Sequence, residues 1–532
     1  MDRHLLLESL RAGRLGFDLV VIGGGITGAG VAREAAGSGL RTLLVEQKDF
    51  AWGTSSRSSK MVHGGLRYLA SGHLGLTRNA ARERERLMKE APGLVEPLPF
   101  LMPHFKGHFP GPRLFQALLT LYDRLAGTNT HRKYSPADTQ QWVPGLTDEG
   151  LQATSRFTDA VTDDARLVQR LITEARRDGA ICLNYVTATS VERDGQGSVC
   201  GLKLAPEGPP GTEEILVNTR QVINATGAWA DRLQKQSGTD NPLSIRPLRG
   251  SHLVIPWQSL PVTCAVSLLH PEDKRPVFAF PWAGTTVLGT TDLEHRGDLN
   301  REPAITTAEV DYLLQIARRL FPGSPLTARD VLSTWAGVRP VVTAGEGKAP
   351  SKENREHVIR QDRGFISIAG GKLTTFRQMA RQALAMALPE SRAATLRPDE
   401  HPVFRPTPPA PKPENITAIT WRRLGGYYGP DRQNLLQEGR LEEIAGTGTL
   451  WAELEWACRH EQVLHLDDLM LRRSRLGLVL PNGGAGVLSA LRTRCQALLG
   501  WDDERWLKEQ DRYLTLYQEA YQLPHQKEEQ GA

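Results

Sequence analysis

The sequence predicts an α/β protein. One α/β domain, assembled from three separated segments, is interleaved with a β-rich lobe and followed by a helical C-terminal domain. Three observations predict this. The apolar run FDLVVI (17–22) leads through GGGITGAG into VAREAAGSGL and a second apolar run, RTLLVE (41–46), in the order strand, glycine turn, helix, strand. Two later segments, QVINATG (221–227) and FISIAGGKLTTFRQMARQALAMAL (365–388), repeat the strand and glycine turn. The run PVFRPTPPAPKP (402–413), with six prolines, then separates all this from a stretch carrying Leu, Glu and Arg at helical spacing.

In chain order, residues 1–16 form an N-terminal extension and 17–400 the main two-lobed region. The α/β lobe takes roughly 17–80, 150–240 and 350–390, and the β-rich lobe roughly 81–149 and 241–349. Within the first lobe, DDARLVQRLITEARRDGA (163–180) reads as a helix, with acids at its start and a glycine near its end. Within the second, SHLVIP and TTVLGTTD are strand-like. PRLFQALLTLYDRLA (112–126) sets Leu114, Leu118, Leu121 and Leu125 at helical spacing, with Phe115 and Leu119 beside them and Arg113 and Arg124 flanking. That helix suits either a membrane surface or the protein core. Residues 401–414 are the proline-rich linker, 415–523 the helical domain and 524–532 a tail. RRSR at 472–475 reads as a solvated or interdomain basic face.

Composition excludes several functions. At 532 residues the chain is too long for a single small binding module. Its net charge of +5, from 65 basic and 60 acidic residues, is too dilute to predict nucleic-acid binding. The five cysteines form no CxxC pair and are odd in number, so neither a disulfide framework nor a metal site is expected. The start has no long apolar core, and no apolar run approaches the roughly 18 residues of a spanning helix. A soluble or surface-attached protein is expected.

Gly23-Gly24-Gly25-Ile26-Thr27-Gly28 matches G-x-G-x-x-G between a strand and a helix. Gly23 permits the tight turn, Gly25 lets backbone approach a pyrophosphate, and Gly28 permits close helix–strand packing. Glu46, ending the second strand, is placed to accept ribose hydroxyls, which favours NAD or FAD over NADP. The loop Thr54–Lys60 that follows is dense in hydroxyls suited to a diphosphate and a flavin edge.

The motifs TSSRSSKMVHGGLRYL (54–69), DDARL, NATGAW (224–229), RGSHLVIP (249–256), EDKRPVFAFPW (272–282), GTTD (289–292), WAGVRP (335–340) and GGKLTTFR (370–377) resemble those of the FAD-dependent glycerol-3-phosphate dehydrogenases. DDLMLRRSRLG (467–477) resembles that family's C-terminal domain. The resemblance implies a glutathione-reductase-like FAD-binding Rossmann domain interleaved with the β-rich substrate domain. It implies oxidation of sn-glycerol 3-phosphate to dihydroxyacetone phosphate, by hydride transfer from C2 to FAD N5, with electrons passed to a quinone. A cytoplasmic protein, peripheral on the inner membrane, is then expected, and a homodimer is compatible with it.

The same resemblance assigns FAD contacts to Gly23, Gly25, Ile26, Thr27, Gly28, Glu46, Thr54, Ser55, Ser59, Lys60, His63, Gly64, Gly65, Val186, Ala225, Thr226, Gly227, Trp229, Gly371, Lys372, Leu373 and Thr374. It places substrate contacts at Arg67, Tyr68, His252, Arg339, Arg355, Lys372 and Thr374. Physically, a phosphate dianion calls for several cations, and Arg67, Arg339, Arg355 and Lys372 each border a glycine turn, a proline or a loop. His252, with Arg339 and Lys372, forms the expected catalytic group; His252 is the first choice of proton acceptor and His63 the second. The competing readings are an amine or 2-hydroxyacid oxidase on the same scaffold, a non-enzymatic flavin-binding protein, and an NAD dehydrogenase.

Overall fold

The computed structural model describes residues 3–66, 69, 72–209, 211–239, 243–343 and 357–524. Arg67, Tyr68 and Arg355 lie outside the described residues. A six-stranded sheet forms the first lobe. Its order is Val358–Asp362, Phe365–Ala369, Val222–Asn224, Leu19–Ile22, Thr42–Val45 and Ile181–Leu183, all parallel except the first strand. The central strands are buried along their whole length, as continuous Val, Leu and Ile runs require. The helices Ile26–Gly37, Asp164–Arg177 and Phe376–Ala387 pack together against this sheet. Small residues permit that: a side chain on Gly30 would meet the Phe376 ring at 2.6 Å. Asp163 caps the second of these helices by accepting from the Arg166 amide at 3.0 Å. A three-stranded antiparallel sheet, Val186–Arg193, Val199–Pro206 and Ile215–Asn218, flanks this lobe.

The second lobe is built on a larger, mostly antiparallel sheet that includes Val95–Phe105, Ile245–Pro256, Pro276–Trp282, Thr285–Gly289 and Ser333–Val342. Two boundaries differ from the sequence reading. Leu151–Thr162 pairs along Val95–Phe105, and Met61–Val62 pairs with Leu151–Thr162, so both strands belong to this lobe. The first lobe resumes at the Asp163 cap. The cause is legible only in three dimensions: alternation in 151–162 does not say which sheet receives the strand.

Residues 401–413 carry no regular element, as six prolines dictate, but they are no free spacer. Val403 and Phe404 are buried in the first lobe's core, and Arg405 donates to Glu174 at 2.6 Å. The helical domain follows, including Ala418–Tyr428, Trp451–His460 and Asp503–Ala520. In the N-terminal extension, the helix Arg3–Arg11 is tied down by Arg3, which donates to the Asn184 carbonyl at 2.7 Å.

Of the two readings of RRSR, solvated or interdomain, the structure gives the second. Arg472, Arg473 and Arg475 are at most 4% exposed. Arg473 donates to both oxygens of Asp49, at 2.7 and 2.8 Å, and Arg472 to the same carboxylate at 2.6 Å. Burial works to raise the pKa of Asp49, but the Arg473 and Arg472 charges outweigh it and hold Asp49 below the usual carboxylate range. Arg475 reaches Asp163 at 2.8 Å, Asp164, and the Ser56 carbonyl at 3.1 Å. The helical domain thereby grips residues 49–60 of the first lobe. Removing one partner from such a buried set leaves an uncompensated charge. Arg473→Ala is therefore expected to lower unfolding free energy by about 3–5 kcal/mol, measured by urea denaturation. A change under about 1 kcal/mol, the size of an exposed pair, would show that the cluster is not holding the domains.

Candidate active site

A cavity of about 570 Å³ opens at the C-terminal ends of the parallel strands, where an α/β sheet places its ligands. Gly23, Gly25, Ile26 and Thr27 form one part of its wall. Gly23 has φ +108°, and a Cβ there would meet the Ala225 carbonyl at 2.6 Å. A Cβ on Gly28 would collide with the Gly23 carbonyl, which is why Gly28 packs the helix without lining the cavity. Gly25 is the N-cap of Ile26–Gly37, so the positive end of that helix faces the cavity. Ser55 Oγ accepts from the Ile26 amide at 2.9 Å.

Glu46 lines the same cavity. Its carboxylate accepts from the Gly24 amide at 2.7 Å and the Lys48 amide at 2.9 Å, which fixes its direction. Burial nevertheless raises its pKa, outweighing those two bonds. Val186 sits behind it, its amide donating to the Glu46 carbonyl at 2.8 Å, and Thr187, Ala188 and Thr189 continue the wall. Ala225, Thr226, Gly227 and Trp229 supply another part, with Thr54 and Ser55 opposite. Thr54 donates its hydroxyl to the Val338 carbonyl, joining the two lobes at the cavity rim. Gly371, Lys372 and Leu373 close the remaining side. Gly370 and Gly371 have φ +74° and +82°, and a side chain on Gly371 would run into Met379 Sδ. The fit to an extended dinucleotide is direct. The wall offers a helix N-terminus behind glycines, a carboxylate at the end of the second strand, and a glycine step where backbone can approach a ring.

Other expected contacts stand behind this wall. Lys60 is fully buried against Asp164, 2.8 Å away, with its ammonium 4.5 Å from the Trp335 ring centroid and 4.8 Å from that of Trp282. Burial, then Arg475, push its pKa down to about 8 against the pull of Asp164. Its position supports the loop and does not reach the cavity lining. Gly64 and Gly65 lie beneath a second buried set. Asp159 accepts from the Gly64 amide at 2.9 Å, Tyr122 at 2.8 Å, Arg84, and His63 Nδ1 at 3.1 Å. Burial would raise Asp159, yet the His63 bond and the Arg84 charge hold it at about 2. Thr374 donates to the His63 carbonyl at 3.1 Å, tying this set to the GGKLTT turn.

The second lobe presents a cross-strand ladder. Trp335 stands opposite His252, Gly337 opposite Gly250, and Arg339 opposite Leu248. Alternation puts all six on one face. His252 stacks on Trp335 with centroids 4.9 Å apart and lies 3.0 Å from Ser59 Oγ through Nε2. Its Nδ1 is buried and has no hydrogen-bond partner among the described residues. Burial, then the Arg339 and Lys60 charges, hold its pKa well below the usual imidazole value, which disfavours the charged ring. The structure thus joins His252, Ser59 and Arg339 where the ladder meets the first lobe, while Lys372 lines the cavity. Sequence reasoning missed Asp159 and Asp164, which anchor His63 and the hydroxyl-rich loop. DDARL (163–167) carried a signal for Asp164, and no quoted motif contains Asp159.

This is the site of a two-lobed flavoprotein oxidoreductase. A family model described as FAD dependent oxidoreductase matches residues 18–377, and one described as the C-terminal domain of alpha-glycerophosphate oxidase matches 366–506. The chain is 34% identical over 523 residues to a glycerol-3-phosphate dehydrogenase of Mycobacterium leprae, covering 93% of this chain and 87% of the relative. It is 32% identical to an aerobic glycerol-3-phosphate dehydrogenase of Staphylococcus haemolyticus, covering 89% of each chain. The solved glycerol-3-phosphate dehydrogenase of Bacillus halodurans, complexed with FAD, superposes with a TM-score of 0.74 at 28% identity over 97% of both chains. The chain belongs to the FAD-dependent glycerol-3-phosphate dehydrogenase family, and FAD is its cofactor.

Gly25→Val is expected to give protein without bound flavin, because its branched Cβ enters both the cradle and the space of Ser55 Oγ, 3.1 Å from the first added carbon. The flavin absorbance of purified protein reads this directly. Yellow, active Gly25→Val protein would contradict the cradle.

Proposed function

We propose that this protein oxidises sn-glycerol 3-phosphate to dihydroxyacetone phosphate and delivers the electrons to a membrane quinone. The observation that supports the substrate is the presence of two cations at or next to the flavin cavity: Lys372 in its wall, and Arg339, whose chain neighbour Pro340 lines it. When bound, the flavin supplies the two-electron oxidant. The chain's own task is to hold a dianion, orient its C2 hydroxyl and accept the hydroxyl proton. Guanidinium forks match phosphate oxygens, and Lys372 adds a point charge. An amine or hydroxyacid oxidase needs one cation for one carboxylate, and two cations exceed that need.

Two imidazoles suit the proton. His252 is favoured by its neutral ring and buried, unpartnered Nδ1: with Nε2–H donated to Ser59, Nδ1 holds a lone pair. His63 is favoured by Asp159, which fixes Nδ1–H and leaves Nε2 as the base. The proton acceptor is read from rates. Stopped-flow flavin reduction at saturating substrate is expected to fall about 10²–10⁴-fold in the alanine variant of the true base. His252→Ala within a few-fold of the parent transfers the role to His63 or to water. Arg339→Ala is expected to weaken apparent glycerol 3-phosphate binding by about 2–4 kcal/mol with FAD content intact. Unchanged binding and turnover would remove the phosphate assignment.

For the acceptor, the protein must reach lipid, and no described helix is long and apolar enough to cross a membrane. The helix Pro112–Ala126 offers a surface contact. Phe115, Leu119 and Tyr122 are buried in the core, while Leu114 is 57% exposed, Leu121 40% and neighbouring Phe109 79%. Leu118 packs half-buried on the core. Exposed Arg113 and Arg124 border this outer stripe, as an anionic headgroup layer requires. The holoenzyme is expected to float with anionic liposomes at low salt, and Leu114→Glu/Leu121→Glu to abolish flotation while keeping FAD. A parent that stays with the soluble fraction removes membrane attachment.

A further inference from the structure

GTTD (289–292) and EDKRPVFAFPW (272–282) entered the sequence reading only as family motifs, with no role for any residue in them. The structure brings their charged residues together beside Arg339. Between Arg339 and the His252–Trp335 stack, the ladder carries only glycine, Gly250 and Gly337. The vacant width is covered by other chain: a Cβ on Gly250 would meet Thr290 Oγ1 at 2.6 Å and the Thr291 carbonyl at 3.1 Å. The turn 290–292 is thereby laid against the strand. It delivers Asp292, whose side chain is 12% exposed, to Arg339, whose Nη1 donates to Asp292 Oδ1 at 3.1 Å. Thr291 is held from behind, donating to Glu309 Oε1 at 2.7 Å, and Glu309 also accepts from Ser251 and Arg249. The turn is therefore fixed on both sides.

A second guanidinium completes the group. Arg275 donates through Nη1 to the Asp292 main-chain carbonyl at 2.7 Å and lies 3.6 Å from Asp292 Oδ2. Its Nε is 3.5 Å from Asp273, itself 40% exposed. The Arg275 and Arg339 side chains are 32% and 33% exposed, whereas the Asp292 side chain between them is only 12% exposed.

We propose that Asp292 is the positioning residue that holds Arg275 and Arg339 side by side as one anion clamp, and that Arg275 is a further contact for the phosphate group of the substrate. This rests on the reading of the substrate as a phosphate monoester. Two cations at short range repel each other, and without a ligand they would splay into solvent. One nearly buried carboxylate between them offsets that repulsion and sets their spacing, so less ordering remains when a dianion arrives. Two forks suit a tetrahedral dianion, which presents three oxygens. Asp292 acts through the arginines, so its loss affects binding more than the chemical step.

The test uses the FAD-loaded full chain with two readouts: steady-state flavin reduction by glycerol 3-phosphate, and binding of inorganic phosphate followed through perturbation of the flavin spectrum. Arg275→Gln is expected to raise KM and the phosphate dissociation constant together by about 10–100-fold, the loss of one charged hydrogen bond, with kcat within about threefold. Asp292→Asn is expected to raise both in the same direction, and Asp292→Glu to restore most of the effect. A merely structural ion pair would lower flavin content or thermal stability and leave the KM-to-kcat split unmoved. If Arg275→Gln loses its flavin, Arg275→Lys decides: it keeps the charge but not the fork, and phosphate binding equal to the parent's would overturn the clamp. Unchanged KM and phosphate affinity in Arg275→Gln would overturn it equally. A parent that binds phosphate but is not reduced by glycerol 3-phosphate would sink the functional reading and leave the clamp standing. A parent that neither binds phosphate nor is reduced sinks both.

Discussion

The buried arginines of the helical domain hold the segment on which the site depends. Residues 49–60 leave the second strand, form part of the cavity wall at Thr54 and Ser55, and pass beneath His252 at Ser59. This segment contains only a 3-10 turn at Thr54–Ser56, so sheet hydrogen bonds do not fix it. Arg472 and Arg473 fix its start through Asp49; Arg475, through Ser56 and Asp164, fixes its middle. Asp164 also accepts from Ser58 and Lys60, so one carboxylate takes the charges of both domains. A set like this gains little net energy over apolar packing, but breaking it strands a charge. Its contribution is one geometry for a loop that carries no ladder of its own.

The two lobes meet through residues too small to fill the space between them. Gly337 lies so close to the Arg57 carbonyl that no Cβ would fit, and Gly250 lies equally close to the 290–292 turn. These glycines are not there for their dihedral freedom, since neither has positive φ. They let main chain from the first lobe and from the turn lie flat on the ladder. His252 and Arg339 then flank a narrow face whose floor is backbone. A larger residue at Gly337 would push the Arg57 main chain of the first lobe off the ladder.

How much of this could be read from residues follows from what each signal is. The cradle at 23–28 and the carboxylate at Glu46 were legible because backbone sterics demand glycine at set spacings, and such demands survive in sequence. The lobe order was legible from the recurrence of strand-then-glycine segments. The boundary at 150 was not, because the strand 151–162 alternates like any other and its partner lies far along the chain. Lys60 read as a cofactor contact from its company of serines, whereas the structure buries it between two tryptophans and Asp164. RRSR read as a solvated or interdomain basic face, and sequence alone did not choose between them: Asp467 and Asp468 stand beside it, but Asp49, Asp163 and Asp164, which bury it between domains, lie more than 300 residues away. Charge patterning sees neighbours in sequence, and a buried ion pair need not have any.

The electrostatics of the ladder tie binding to chemistry. His252 is held neutral first by burial and then by the positive charges of Arg339 and Lys60. Lys60 keeps its own counterion, Asp164, whatever occupies the site. Arg339 has a counterion too, Asp292 at 3.1 Å, but its side chain is one-third exposed. On the proposed reading, a dianion beside Arg339 would offset part of the field that disfavours a proton on His252, and the imidazole would become the better acceptor when the phosphate is in place. A neutral polyol of the same shape brings no such change. Selectivity for a phosphorylated alcohol would then act at two levels, in the affinity of the guanidiniums for the anion and in the basicity that the anion restores to the neighbouring ring.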